Sequence, residues 1–256
     1  MRGSLAPVPS VRYRSPAMTR TTLAPLLALS LAACGGGAAT TTTATTGDGT
    51  SGGEVATAET HPIRTTTPIP FPRPAIAREQ MSPELQRVWE LVEVAVAIRP
   101  PEPPSDASVD GVTAWAQGPF SEWLGQRAQA AGEIQEAIIP LEEAPAHERG
   151  VAAGLLGYLY ETTVADVRGA PIPDSIASDP ELLGVYDRSM NDALLPTARI
   201  SVQAYRFCGA AFEEANSEQW GEWSTYCSDR AADVGEVFGV ETDASPPDAS
   251  QPVVEE

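Results

Sequence analysis

Three cysteines (Cys34, Cys208, Cys227), two histidines (His61, His147) and several closely spaced carboxylates are the side chains of this 256-residue chain with chemistry to offer. Transition-metal ligation needs His, Cys or acidic residues at a recurring spacing, and neither His-x-x-x-His, His-Glu-x-x-His nor a cysteine cluster occurs. No Walker loop, Gly-x-Gly-x-x-Gly or Gly-x-Ser-x-Gly is present either, so the sequence assigns no metal, no cofactor and no nucleophile. Glu142 and Glu143, Glu213 and Glu214, and Asp229 and Asp233 have the residue type for general acid and base work. Such pairs abound in any acidic helical chain, and no catalytic residue is assigned to them. His147 stands near a helix start and reads as a surface residue. Trp115, Trp123, Trp220 and Trp223, with Tyr158 and Tyr160, have the chemistry to line a groove for a sugar or a peptide, although their helical spacing says core first.

Cys34 is set apart by what precedes it. Arg20 is followed by the apolar run Leu23, Leu26, Leu27, Leu29 and Leu31 and then by the small residues Ala32 and Ala33. A positive start, a short apolar run and small residues before a cut make a secretory signal. The run is interrupted by Pro25 and is well short of the roughly 20 residues that a membrane span needs. Leu31-Ala32-Ala33-Cys34 resembles the Leu-small-small-Cys box of bacterial lipoprotein precursors at all four positions. The resemblance implies removal of residues 1–33, a diacylglycerol on the Cys34 sulfur and acylation, as with palmitate, of the new amino group. Gly35 follows where an aspartate would, by the family's sorting rule, retain the protein at the inner membrane, so the outer membrane is the expected site. The start before Arg20 is long, which makes Met18 an alternative initiator to Met1.

All sixteen basic residues are arginine, against 35 acids, for a formal net charge of -19. Four arginines and no acid precede Cys34, so the mature chain carries 12 minus 35, or -23. Such a surface repels nucleic acid and anionic headgroups. Membrane attachment therefore falls to acyl chains, and the acidic balance otherwise reads as a solvated face.

The elements follow in order. Residues 34–80 read as a tether, first Gly- and Thr-rich, GGGAATTTTATTGDGTSGG, then stiffened by Pro62, Pro68, Pro70, Pro72 and Pro74. A random coil of this length spans on the order of 40 Å. The proline-rich stretch with Arg73 is either a spacer or a ligand for an aromatic groove, the spacer being preferred because alternate prolines do not keep a three-residue period.

Ser82-Pro83-Glu84 opens the helical domain, 81–240, with a hydroxyl cap, a proline where no amide hydrogen is needed and an acid in the positive first turn. Leu85, Val88, Trp89, Val92 and Val96 then form one stripe. Val112, Trp115 and Ala116 make a short helix that Gly118-Pro119 interrupts. Phe120, Trp123, Leu124, Ala128, Ala131, Ile134 and Ile138 mark a long helix ended by Pro140. The next carries Val151, Leu155, Tyr158, Leu159 and Thr162, with small residues Ala152, Ala153, Gly154 and Gly157 that allow close helix contact. Asp179-Pro180-Glu181 caps a helix bearing Leu182, Leu183, Val185, Tyr186 and Met190. Two further stripes follow, Leu195, Ala198, Val202, Tyr205 and Phe212, then Trp220, Trp223, Cys227, Ala231, Val234 and Phe238. Residues 241–256 read as an acidic disordered tail.

A turn at Asn216-Ser217 puts Cys208 and Cys227 about 12 and 15 Å down antiparallel helices, at matching depth. In an oxidising compartment the pair reads as a disulfide worth about 3 kcal/mol on the chain-entropy model.

Leu156-Gly157-Tyr158-Leu159-Tyr160 resembles the Leu-Gly-x-x-Tyr of a tetratricopeptide first helix, while Ala153 and Gly169 depart from that pattern. The expected fold is all-α, a bundle or a short tetratricopeptide-like stack of six or seven helices. The expected role is a cell-envelope lipoprotein whose helical domain binds or scaffolds a protein partner in the envelope without catalysis. The alternatives are a wall or envelope enzyme with an acidic site, and a small-ligand or glycan capture protein using exposed tryptophans.

Overall fold

The computed structural model describes residues 69–73, 76–215 and 220–241. All belong to one compact unit, Ala58–Glu256. The leader, Cys34, most of the tether, the turn expected at Asn216-Ser217 and nearly all of the tail lie outside the described residues. Among the described residues the regular structure is entirely helical: α1 Pro83–Ala97, α2 Val109–Trp115, α3 Ser121–Ile138, α4 Ala146–Arg168, α5 Asp174–Ala177, α6 Pro180–Ala215 and α7 Gly221–Phe238. Short 3₁₀ turns cover Arg78–Gln80 and Ile139–Glu143, and one wide turn covers Ala116–Phe120.

The helix starts follow from local chemistry. Ser82 Oγ accepts from the Leu85 amide at 3.2 Å, and Pro83 supplies the first helical residue. The same Ser82 donates its amide and hydroxyl to Glu148 at 2.9 and 2.7 Å, which fastens the start of α1 to the first turn of α4. Asp179 Oδ1 accepts from the amides of Glu181 and Leu182 and so caps α6. At the far end α7 stops on Gly239, at φ 62°, a left-handed conformation that suits a residue without a Cβ.

α4 is the central element. It packs along α6, which in turn packs along α7, while α1 lies against α3 and α4. Its buried residues lie on every face, from Gly150 and Val151 to Tyr160 and Glu161. A helix apolar all round is a buried one. Three glycines let α6 approach: a Cβ at Gly150 would stand 2.9 Å from the Phe212 ring, one at Gly157 2.9 Å from the Tyr205 ring, and one at Gly154 3.1 and 3.2 Å from the sulfurs of Cys208 and Cys227. The small-residue stretch thus does what its composition suggests, with Gly150 added to it.

Three features differ from the sequence reading. First, the helix bearing Leu182 to Met190 and the stripe from Leu195 to Phe212 belong to one element, the 36-residue α6, about 54 Å long, with Pro196 inside it. Pro196 is exposed, so the carbonyl it leaves unbonded faces water rather than the core. The first turns of this helix carry Leu182 and Val185, each 48% exposed, instead of burying them. Second, Ala128 is exposed and the inward stripe of α3 is Trp123, Arg127, Ala131 and Ile134. A charged residue holds a core position that an apolar pattern passes over. Third, Ile69–Arg73, placed in the tether by composition, lies against the bundle, with Ile69, Phe71 and Ile76 packed on the main core.

Gly118 and Pro119 interrupt the helix as expected, Gly118 standing at φ -99°, ψ -106°. The bend brings Trp115, Phe120 and Trp123 into a stack, with ring centroids 4.5 and 5.1 Å apart.

Candidate functional site

The local acid pairs do not assemble into a site. Glu142, Glu143, Glu213, Glu214, Asp229 and Asp233 are all exposed. Glu214 pairs with Arg149 at 2.8 Å and Asp233 with Arg230 at 2.6 Å. Among the described residues, no three His, Cys, Asp or Glu side chains gather closely enough to hold a metal. His147 is half-buried, its ring stacked on Trp220 at 5.2 Å. The tryptophans considered for a capture groove are core residues: Trp115 is 8% exposed, Trp123 3%, Trp220 5% and Trp223 2%. Trp115, Trp123 and Trp220 therefore offer no exposed groove, while Trp223 donates to the carbonyl of Arg73 in the contact described below.

Cys208 and Cys227 are fully buried, and their sulfurs stand at disulfide distance with Cα atoms 6.0 Å apart. Matching depth on α6 and α7 brings them together, as the spacing predicts, and Gly154 leaves room for the pair.

Two charged clusters are inside the fold. In the larger, Glu161 on α4 accepts from the Tyr205 hydroxyl on α6 at 2.7 Å and from Arg230 Nε on α7 at 3.1 Å, and a second Arg230 nitrogen reaches its other oxygen. In the smaller, Arg127 pairs with Asp166 at 3.0 Å and lies over the Trp123 ring at 5.4 Å. Burial lowers the Arg127 pKa against the opposing pull of Asp166, and it raises that of Asp166 against the pull of Arg127. Neither cluster was visible as a motif, since the hydrogen bonds of Arg127 to Asp166 and of Glu161 to Tyr205 and Arg230 span 39 to 69 residues of chain.

Burial also raises the hydroxyl pKa of Tyr158, Tyr160 and Tyr226, and holds that of Tyr205 well above the ordinary tyrosine value. The unfolded chain releases a tyrosine proton near pH 10 while folded Tyr205 keeps it, so the folded state binds more protons there. The contribution is complete below about pH 10 and lost above it, by up to about 1.4 kcal/mol per pH unit for Tyr205 alone. Urea denaturation followed by circular dichroism should show constant stability from about pH 7 to 9 and a steep fall above about pH 10. Unchanged stability at about pH 11 would contradict this.

A second constellation is aromatic. Trp89 on α1, Tyr158 on α4, and Trp223 and Tyr226 on α7 form the floor of a groove that the Ile69–Arg73 segment fills. Phe71 meets Trp89 and Tyr158 edge-on at 5.7 and 5.0 Å. Trp223 Nε1 donates to the Arg73 carbonyl at 2.8 Å, and the Tyr158 and Tyr226 hydroxyls reach the carbonyls of Ile69 and Pro70 at 3.4 Å each. The sequence offered both halves of this contact, a proline-rich segment and aromatic stripes, without showing that they meet. A separate shallow groove of about 210 Å³ lies between α1 and α3, lined by Leu91, Val94, Ile98 and Gln129 among others.

No helix among the described residues is long and apolar enough to cross a membrane. The chain matches no protein-family model, and neither a curated protein nor a solved structure shows significant similarity to it.

Proposed function

We propose that this chain is a lipid-anchored protein of the cell envelope, held by Cys34 at the outer membrane, whose helical body binds another envelope component without catalysing a reaction. The observation that carries the binding role is the seating of Ile69–Arg73: the bundle holds an extended peptide through aromatic rings and side-chain donors. The address rests on the Leu31-Ala32-Ala33-Cys34 box. The charge of the mature chain gives no other route to an anionic membrane.

The test is recovery of the tagged full chain from gently solubilised membranes at low and high salt. A specific protein retained with it is the expected result. Recovery of no partner at any salt, together with turnover of a cell-wall substrate, would overturn the reading in favour of an enzyme.

A further inference from the structure

The contact between Ile69–Arg73 and the bundle has the chemistry of peptide recognition rather than of simple packing. Prolines at 70 and 72 hold the segment extended and carry no amide hydrogen, so laying it on an apolar surface leaves few donors unsatisfied. The three hydrogen bonds that fix it run one way, from the Tyr158 and Tyr226 hydroxyls and the Trp223 indole to strap carbonyls. Carbonyls are common to every residue, so these bonds would accept any extended segment in register. Selectivity then comes from the pocket that Phe71 fills between Trp89 and Tyr158. Pro72 is buried and Pro70 exposed. This is the combination by which aromatic-lined grooves read proline-rich ligands.

The segment covers the outer edge of this aromatic cluster, Phe71 lying edge-on against Trp89 and Tyr158. Trp89 is 1% exposed and Trp223 2% with the segment in place. The only charge on the segment is that of Arg73, and the mature chain around it carries -23, so a basic ligand is favoured over an acidic one.

We propose that the groove of Trp89, Tyr158, Trp223 and Tyr226 is a binding site for an extended, proline-rich, basic segment of a partner protein, and that Ile69–Arg73 is its resident intramolecular ligand. The inference rests on the binding role proposed above and names the chemistry of the partner. The resident segment competes with the partner, so the apparent affinity of the groove is reduced by the fraction of time the segment stays seated.

The probe is a fluorescent synthetic peptide with the sequence of residues 68–74, Pro-Ile-Pro-Phe-Pro-Arg-Pro, read by anisotropy against the full chain in mild detergent. Phe71→Ala in the protein loosens the resident segment and leaves the groove intact. The peptide is expected to bind this variant at least about tenfold more tightly than the unaltered chain. A peptide with alanine in place of its phenylalanine should bind neither, and one with glutamate in place of its arginine should bind more weakly at low salt. No binding to a Phe71→Ala variant of unchanged helicity would overturn the inference and leave the segment as plain packing. If that variant fails to fold, Pro70→Gly at the exposed proline loosens the segment without emptying the pocket, and equal peptide affinity for it and the unaltered chain would equally overturn the inference. If the unaltered chain self-associates and the peptide dissolves the dimer, the occupant is a second copy and the partner assignment falls. The titration reads the groove and the membrane recovery reads the wider role, so either can fail alone.

Discussion

Replacing Glu161 by alanine is expected to destabilise the helical body by about 3 to 5 kcal/mol, toward the lower end of that range. Glu161 is 5% exposed, and it joins three helices: its own α4, α6 through Tyr205 and α7 through Arg230. Truncation removes the carboxylate to which the Tyr205 hydroxyl donates, on a residue with no exposed surface, and leaves the Tyr226 hydroxyl as its remaining hydrogen-bond neighbour. A buried donor left unmet costs about 1 to 3 kcal/mol. Truncation also removes one partner of an ion pair whose Arg230 side chain is 19% exposed. Breaking a buried pair from one side costs about 3 to 5 kcal/mol. Two facts hold the total down: Arg230 keeps Asp233 at 2.6 Å, and part of its guanidinium reaches water. Removing both charges at once, as in Glu161→Leu with Arg230→Met, should recover the part of the loss that comes from the unpaired charge and leave the part that comes from the Tyr205 hydroxyl, because apolar side chains of similar volume replace such ion pairs well. Urea denaturation of the two variants beside the unaltered protein measures both effects. A loss below about 1 kcal/mol in Glu161→Ala would show that the cluster is solvated rather than structural.

This cluster also shows where the sequence stops being legible. The acid pairs that attracted notice were neighbours in the chain, and neighbours on a helix surface turn out to be exposed. The acid that matters finds its partners 44 and 69 residues away, a relation that no local spacing records. Caps and stripes were legible because they are local. Ser82 and Asp179 each bond an amide within three residues, and Val88, Val92, Val202 and Cys227 bury a single face. α4 was read correctly for its small residues but not for its rank. With buried residues on every side it carries no sharp period, and its central place emerges only when α1, α6 and α7 surround it.

Arg127 and Ile69–Arg73 were missed for opposite reasons. Polarity hid the arginine, although its side chain is 2% exposed and rests over Trp123 beside Asp166. Low complexity upstream and alternate prolines made the segment look like spacer, while Phe71 and Ile69 within it had the apolar surface to dock. Pro196 lies inside α6 without ending it. A proline stops a helix only where its lost hydrogen bond and its ring are unaffordable, and on the exposed side of a long packed helix they are tolerated.

The other large expected effect concerns Cys34. On the proposed reading the mature chain is held by acyl chains alone, each buried methylene contributing about 0.8 kcal/mol. One chain gives marginal, reversible attachment and two or more give a stable anchor. The net charge of -23 adds repulsion from anionic lipid instead of attraction. Cys34→Ala removes the thiol that receives the diacylglycerol, and with it every acyl chain that depends on that first step. The effect should approach all or none, far beyond what any surface substitution in the bundle would do to partitioning. The measurement is fractionation of cells carrying the unaltered chain or Cys34→Ala, with a high-salt wash of the membranes and the mass of the mature N-terminus read in each fraction. The expected result is an unaltered chain in the washed membranes that begins at an acylated Cys34, and a variant that is released to the soluble envelope fraction or left uncut. A variant that stays in the washed membranes and is cut at its usual place would contradict it.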